Sequence, residues 1–384
     1  MKLSELSKFQ DYLTTDYGVP GNSVVVYHNH SLVYEYSSGF ADREAGIPFS
    51  SNTPVNLFSC SKVITCAAAL TLFEKGKFLM TDPLYDYIPE FKEVKVRCKD
   101  ENGNTSVRAP KRPIIIKDIF TMCAGFDYNL NSPSLNTIKQ VNPNASTLEF
   151  MRELAKEPLC FDPGEHWQYS LCHDVVGALI EAVSDMSFEE YAKKAIFNKC
   201  DMTDTAFTRS NELYDHMAAQ YIFDDNTRTA RRIEKNDNPY ILGSKFFSGG
   251  AGIYSSAKDY ILFADAMACG GIAATGERIL SSATVNLMKT NCLGEVQQKD
   301  FNWIQYRGYG YGLGVRTVVD RALGGILSPV GEFGWAGAAG SMVIIDPVNK
   351  LSVFYCMHMR NPQESYIFPR LRNIVYAELS DIIF

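Results

Sequence analysis

Strand-forming runs stand at both ends of this 384-residue chain, with helical runs between them. That distribution constrains the fold more than any other feature of the sequence. "SVVVYH" (23–28) and "LVYEYSSGF" (32–40), joined by a tight Asn29-His30-Ser31 turn, read as a hairpin. The last quarter is again β-rich: "YGLGVRTVV" (311–319), "SMVIIDP" (341–347) and "LSVFYCMHM" (351–359), the last two separated by an Asp-Pro-Val-Asn turn. Residues from roughly 80 to 290 read as helices and loops, with clear helical periodicity in "HDVVGALIEAVS" (173–184), "FEEYAKKAIF" (188–197) and "SAKDYILFADAMACG" (256–270). A helix opens the chain, another runs from Cys60 to about Lys75 with Gly76 as its stop, and "YIFPRLRNIVYAELSDIIF" closes it. One antiparallel sheet assembled from both ends, with helices on its faces and an inserted helical part, accommodates all of this. The expected fold is α/β of the α+β type. It divides into a sheet domain (1–85 with 290–384) and a mainly helical domain (86–289), with the functional site at their interface. No internal repeat, low-complexity tract or linker interrupts the chain.

Bulk properties exclude several function classes. A hydrophobic content of 46% with 21% charged residues is ordinary globular composition. A net charge of -7 with no basic stripe disfavours nucleic acid as a partner, and the short "KRPIIIK" (111–117) reads as a strand or loop edge. No stretch is long and apolar enough to span a bilayer, and the amphipathic N-terminus lacks the apolar core of a secretory signal. Ten scattered cysteines without a Cys-x-x-Cys pair suit reduced thiols, so a cytoplasmic location is expected. There is no Gly-x-Ser-x-Gly, Walker loop or His-Glu-x-x-His. His28 and His30, the one close histidine pair, read as ordinary exposed strand-end residues. No metal or cofactor is expected, and composition is silent on oligomeric state.

The chemistry concentrates in "VNLFSCSKVITCAAAL" (55–70), where Ser59 and Lys62 stand at the mouth of an apolar helix. Residues at i and i+3 share a helix face, which brings the amine beside the hydroxyl. In the plainer reading Ser59 caps the helix and Lys62 reaches for solvent. In the sharper reading the helix N-terminus and burial lower the lysine pKa from about 10.4, so that it relays a proton from serine. "SSAK" (255–258) satisfies the same pattern, but it precedes a charged amphipathic helix with Asp259 close by and reads as a plain cap.

Two further stretches decide between these readings. "SCSK" (59–62), "GEHWQYS" (164–170) and "GEFGWAGAAG" (331–340) arrive in an order that resembles the three motifs of the serine β-lactamase and penicillin-binding-protein superfamily. The chain is most similar to the class C β-lactamase-like branch, the family VIII carboxylesterases. "TDPLYDYIPEF", "IFNKCDMTDTAF" (196–207) and "SGGAGIYSSAKDY" (248–260) extend that resemblance over nearly the whole chain. The resemblance implies that Ser59 is the acylated nucleophile and Lys62 its proton relay. It implies that Tyr169 is a general base with its phenol pKa lowered by the lysine, and that the Ser59 and Ala338 N–H groups form an oxyanion hole. Trp335, Ala336, Gly337, Leu171 and His173 would line the substrate site, Gly337 keeping it open. His173 and Cys172 also suit helix-start packing.

Two departures shape the expected activity. The lactamases and transpeptidases carry Tyr-x-Asn where this chain has Leu171, and Lys-Thr-Gly where it has Trp335-Ala336-Gly337. The groups that hold a substrate amide and a substrate carboxylate are both replaced. The expectation is therefore a serine hydrolase that acts through an acyl-enzyme on small or short-chain esters, with little β-lactamase activity. A D-amino-acid amidase, D-peptidase or acyltransferase on the same scaffold is the enzymatic alternative, with an ester or amide small molecule as partner throughout. A catalytically quiet binding protein is the alternative from another class.

Overall fold

The computed structural model describes residues 3–99, 102–207, 216–234 and 238–383. Eight strands form one sheet: β1 (Gly21–His28), β2 (Ser31–Asp42), β3 (Ile47–Pro48), β4 (Tyr309–Tyr311), β5 (Arg316–Val318), β6 (Phe333–Gly334), β7 (Met342–Asp346) and β8 (Leu351–Cys356). Their order is β4-β5-β6-β7-β8-β1-β2-β3, antiparallel at every step. The two ends of the chain meet in mid-sheet, where Val24 of β1 lies opposite Tyr355 of β8.

Both faces of this sheet are covered, which is why its central strands read as continuous apolar runs. Val24, Val26, Ile344, Val353 and Tyr355 point to one face, where α1 (Ser4–Thr15) brings Leu6 and Leu13 and the C-terminal helix brings Ile367 and Leu371. Val25, Val343, Ile345 and Phe354 point to the other, into the main core shared with α2 (Ser61–Phe73), α3 (Cys172–Ser184) and α4 (Ala257–Ala268). The C-terminal helix, α5 (Glu364–Glu378), contains Pro369. No helix among the described residues is long and apolar enough to cross a membrane. The ten cysteines are all free thiols.

Several boundaries differ from expectation for identifiable reasons. The first hairpin turns on Asn29 and His30 alone, both with positive φ (47° and 65°), the conformation that matches strand twist in a two-residue connection. "YGLGVRTVV" holds the last residue of β4, a tight turn and β5, and is not one strand. A Cβ at Gly314 in its turn would stand 2.3 Å from Cys66 Sγ, so the turn can press on α2. The β7–β8 turn is held by Asp346 Oδ1, which accepts from the N–H groups of Val348 and Asn349 at 2.9 and 3.1 Å. The 188–197 helix is α-helical to Ala192 and continues as a π turn over Lys193–Phe197. The middle of the chain also holds short strands, among them Val55–Asn56 paired with Tyr254–Ser255. One helix that the sequence assigns to the mainly helical part packs on the sheet. In α4, Tyr260 stacks on Phe354 of β8 with ring centroids 4.3 Å apart.

Candidate active site

Ser59 sits on a single 3₁₀ turn, Phe58–Cys60, that feeds into α2. Phe58 before it is fully buried with φ of 46°, a left-handed conformation that a bulky residue adopts only when its surroundings impose it. Ser59 lies inside this turn rather than at a cap position, which falls to Leu57 and Cys60, and it makes no capping hydrogen bond among the described residues. α2 itself is buried from Ser61 to Leu72, so Lys62 on its first turn has no route to water. Its exposure is zero.

Lys62 Nζ donates to Gly250 O at 2.6 Å, to Ser59 Oγ at 3.1 Å and to Tyr128 OH at 3.3 Å. Burial lowers its pKa from 10.5 to about 8, against the opposing pull of Asp174. Asp174, on α3, is fixed through Oδ1 by Ser248 Oγ at 2.6 Å and Gly250 N at 3.2 Å, while its Oδ2 has no hydrogen-bond partner among the described residues. A Cβ at Gly250 would lie 2.8 Å from Asp174 Oδ2 and 2.9 Å from Tyr128 OH, so any side chain there would displace groups around the amine. The "SGGAG" stretch thus supplies both an acceptor for the amine and the clearance around it.

Tyr169 approaches from the other side. Its hydroxyl donates to Ser59 Oγ at 2.6 Å and accepts from Trp335 Nε1 at 3.4 Å, and Lys62 Nζ stands 4.7 Å from its ring centroid. Ser59 Oγ therefore lies between an amine and a phenol. Desolvation raises the Tyr169 pKa well above its ordinary value. The expected direction is downward; burial outweighs the hydrogen bonds with Ser59 and Trp335 that pull the other way. Of the two groups, the amine is the one able to stand neutral near pH 8 and take the serine proton; the phenol stays protonated and is a donor.

The third stretch places Trp335, Ala336 and Ala338 on the wall of a cleft of about 520 Å³ that opens onto Ser59 and Tyr169. No acceptor among the described residues meets the Ala338 N–H, which is free for a ligand oxygen. Gly337 has a different reason from the one expected. Its Cβ would strike Leu57 O at 2.1 Å and Ser341 Oγ at 2.3 Å, so glycine lets this strand end close on the turn carrying Ser59 rather than keeping the cleft open. Leu171 and His173 are not on the cleft wall. Leu171 is buried as the residue before α3, and His173 is fully buried with Nε2 on Phe120 O at 3.1 Å and its pKa lowered by burial to about 3. Sequence proximity to Tyr169 misplaced both, since the chain turns inward after Ser170.

Sequence reasoning missed Tyr128, Tyr240, Trp303 and Glu364, which also line the cleft. They come from loops and a helix start with no periodic pattern. Only the aromatic density of "FNWIQY" (301–306) marked one of them. Elsewhere, His30 turns from His28 to Asp265, with Nδ1 2.7 Å from Oδ2, and Cys269 joins them in a group of three potential ligands.

A family model described as Beta-lactamase matches residues 6–374. The chain belongs to the beta-lactamase family. Protein Rv1367c of Mycobacterium tuberculosis is 28% identical over 345 residues, covering 87% of this chain and 84% of the relative. Esterase EstB of Burkholderia gladioli is 26% identical over 362 residues, with coverage of 87% and 84%. Among solved structures, EstCE1, described as a hydrolase with promiscuous acyltransferase activity, superposes with a TM-score of 0.80 at 23% identity, covering 97% of this chain and 98% of the other.

Proposed function

We propose that this protein is a serine hydrolase that acylates Ser59 and passes the acyl group to water, with small uncharged esters among its substrates. The observation that carries this reading is the position of Ser59 Oγ, 3.1 Å from an amine with a pKa of about 8 and 2.6 Å from a protonated phenol. Neutral Lys62 accepts the Ser59 proton as Oγ attacks the ester carbonyl. The carbonyl oxygen takes the negative charge and receives the N–H groups of Ser59 and Ala338, a type of contact worth about 3–4 kcal/mol per donor. The C–O bond to the alcohol then breaks, and the Tyr169 hydroxyl protonates the departing oxygen while Lys62 restores the phenol proton. Water repeats the sequence on the acyl-enzyme and frees Ser59.

The cleft wall supports ester over lactam. A penicillin or a peptide carries a carboxylate, and Trp335 and Ala336 offer it neither cation nor hydroxyl, so it would lose water without gaining a partner. Glu364 on the same wall adds like charge. The name of Esterase EstB agrees with ester chemistry, and the description of EstCE1 as a hydrolase with promiscuous acyltransferase activity is compatible with an acyl acceptor besides water. The testing experiment compares kcat/KM for p-nitrophenyl butyrate with that for nitrocefin under one set of conditions. The ester is expected to lead; preference for nitrocefin overturns the esterase reading.

A further inference from the structure

The cleft beside Ser59 holds one charge that the acyl-transfer chemistry does not use. Among the described residues that line the cleft, Glu364 alone carries a carboxylate and none is a lysine or arginine. Glu364 begins α5 directly after Gln363, whose φ of 56° turns the chain into the helix. Its Oε2 accepts one hydrogen bond, from Gln305 Nε2 at 3.1 Å, and no cation lies within ion-pair distance among the described residues. Burial raises its pKa, with only that amide pulling the other way. Its charge reaches the phenols of Tyr169 and Tyr306 and helps raise both.

A half-buried carboxylate with one neutral donor is an arrangement that proteins normally complete with a cation. The first turn of α5 relieves part of the cost through its dipole, which is the purely structural account of this residue. The rest of the wall points to a ligand. Trp303, Tyr306 and Trp335 stand together, with centroids 5.7 Å apart for Trp303–Tyr306 and 5.4 Å for Tyr306–Trp335. Aromatic faces next to an unpaired carboxylate form the combination that recognises an alkylated ammonium, whose charge is spread over methyl groups and weakly hydrated.

Building on the serine-hydrolase reading, we propose that the cleft selects esters bearing an alkylammonium group, with Glu364 as counter-charge and the half-buried Trp303 ring, backed by Tyr306, as the aromatic face. The group would sit on the same wall that turns a carboxylate away, so one residue accounts for both preferences.

The test uses two esters of the same shape, butyrylcholine and 3,3-dimethylbutyl butyrate, in which carbon replaces the charged nitrogen. The ratio of their kcat/KM values, corrected for alkaline hydrolysis rates, is expected to favour the cation by about 10-fold or more. Glu364→Gln is expected to bring that ratio near 1, and Trp303→Leu to lower it several-fold. A purely structural Glu364 would change the melting temperature and leave the ratio alone. In parallel, Ser59→Ala protein is titrated with benzyltrimethylammonium and with benzyl alcohol, following tryptophan fluorescence. The cation is expected to bind more tightly, and Glu364→Gln in that background to weaken it at least 5-fold. A ratio near 1 in the natural protein, or a ratio and a cation affinity untouched by Glu364→Gln, overturns this proposal while hydrolysis of the neutral ester leaves the serine-hydrolase reading standing. If neither ester acylates Ser59, that reading falls instead, and the titration alone then decides whether the cleft binds the cation.

Discussion

Ser59-Cys60-Ser61-Lys62 and Ser255-Ser256-Ala257-Lys258 share a pattern, and the fold sets them side by side. Val55–Asn56 and Tyr254–Ser255 pair as antiparallel strands, and each leads into a helix, α2 or α4. At the second, Ser256 Oγ accepts from Asp259 N at 3.2 Å as a helix cap, Ser255 Oγ meets Thr205 Oγ1 at 2.7 Å, and Lys258 is exposed. At the first, Ser59 caps nothing and Lys62 is sealed under its own helix. Serine and lysine three residues apart fix only a distance. What separates the two is that α4 keeps a wet face for its lysine, whereas α2 is enclosed and withholds water from the amine. Burial of one helix turns a surface pattern into an enclosed amine in contact with a hydroxyl.

The largest expected effect lies in catalysis. Lys62→Ala and Tyr169→Phe should each slow acylation by about 10²–10⁴-fold, the range of general acid–base assistance. The double variant should be little worse than either, because the two act on one proton path. Lys258→Ala should change the rate less than about 2-fold, within the range of surface substitutions. Single-turnover acylation rates for the four proteins check this, and multiplicative losses would separate the roles of Lys62 and Tyr169.

Stability should move the opposite way. A lysine pKa of about 8 against 10.5 means that the unfolded chain binds this proton more tightly, so stability is lower below pH 8 and rises as pH climbs from 8 towards 10.5. The difference corresponds to about 3 kcal/mol. Lys62→Met should therefore raise the unfolding midpoint at pH 7, and Lys258→Met should leave it within about 0.5 kcal/mol. Denaturant titration at pH 7 reads both.

The pH profile of acylation sharpens the same contrast. Because the reactive amine is the neutral one, the rate should climb about tenfold per pH unit below an inflection near 8 and level off above it. That inflection belongs to Lys62, since the Tyr169 phenol stays protonated throughout. A flat profile from pH 6 to 9 would remove the lysine from the proton path. The smallest effect is the cap: Ser256→Ala should cost about 1 kcal/mol of stability with acylation unchanged, measured by melting and turnover together.

Much of the fold was legible because both faces of the sheet are buried, so β1, β7 and β8 appear as apolar runs bounded by turn residues. The enclosed α2 appears likewise as an unbroken apolar helix. The Ser59–Lys62–Tyr169 convergence was reachable through motif order. The left-handed Phe58 was not, since no local signal marks a phenylalanine that surrounding structure forces into that conformation. Nor was the sign of the Tyr169 shift, where a neighbouring lysine is visible in sequence and desolvation is not. Gly337 showed its type but not its reason, because Leu57 O approaches it from far along the chain. Tyr128, Trp303 and Glu364 reach the cleft on loops and a helix start whose paths only the folded chain defines.

The central claim is that burial, not the serine–lysine pattern, makes Ser59 the reactive hydroxyl. Peptide mapping after labelling with a fluorophosphonate tests it most directly, since both patterns are present in one molecule. The account predicts phosphonylation of Ser59 alone. A label on Ser61, Ser255 or Ser256, or intact protein of unchanged mass, would contradict it.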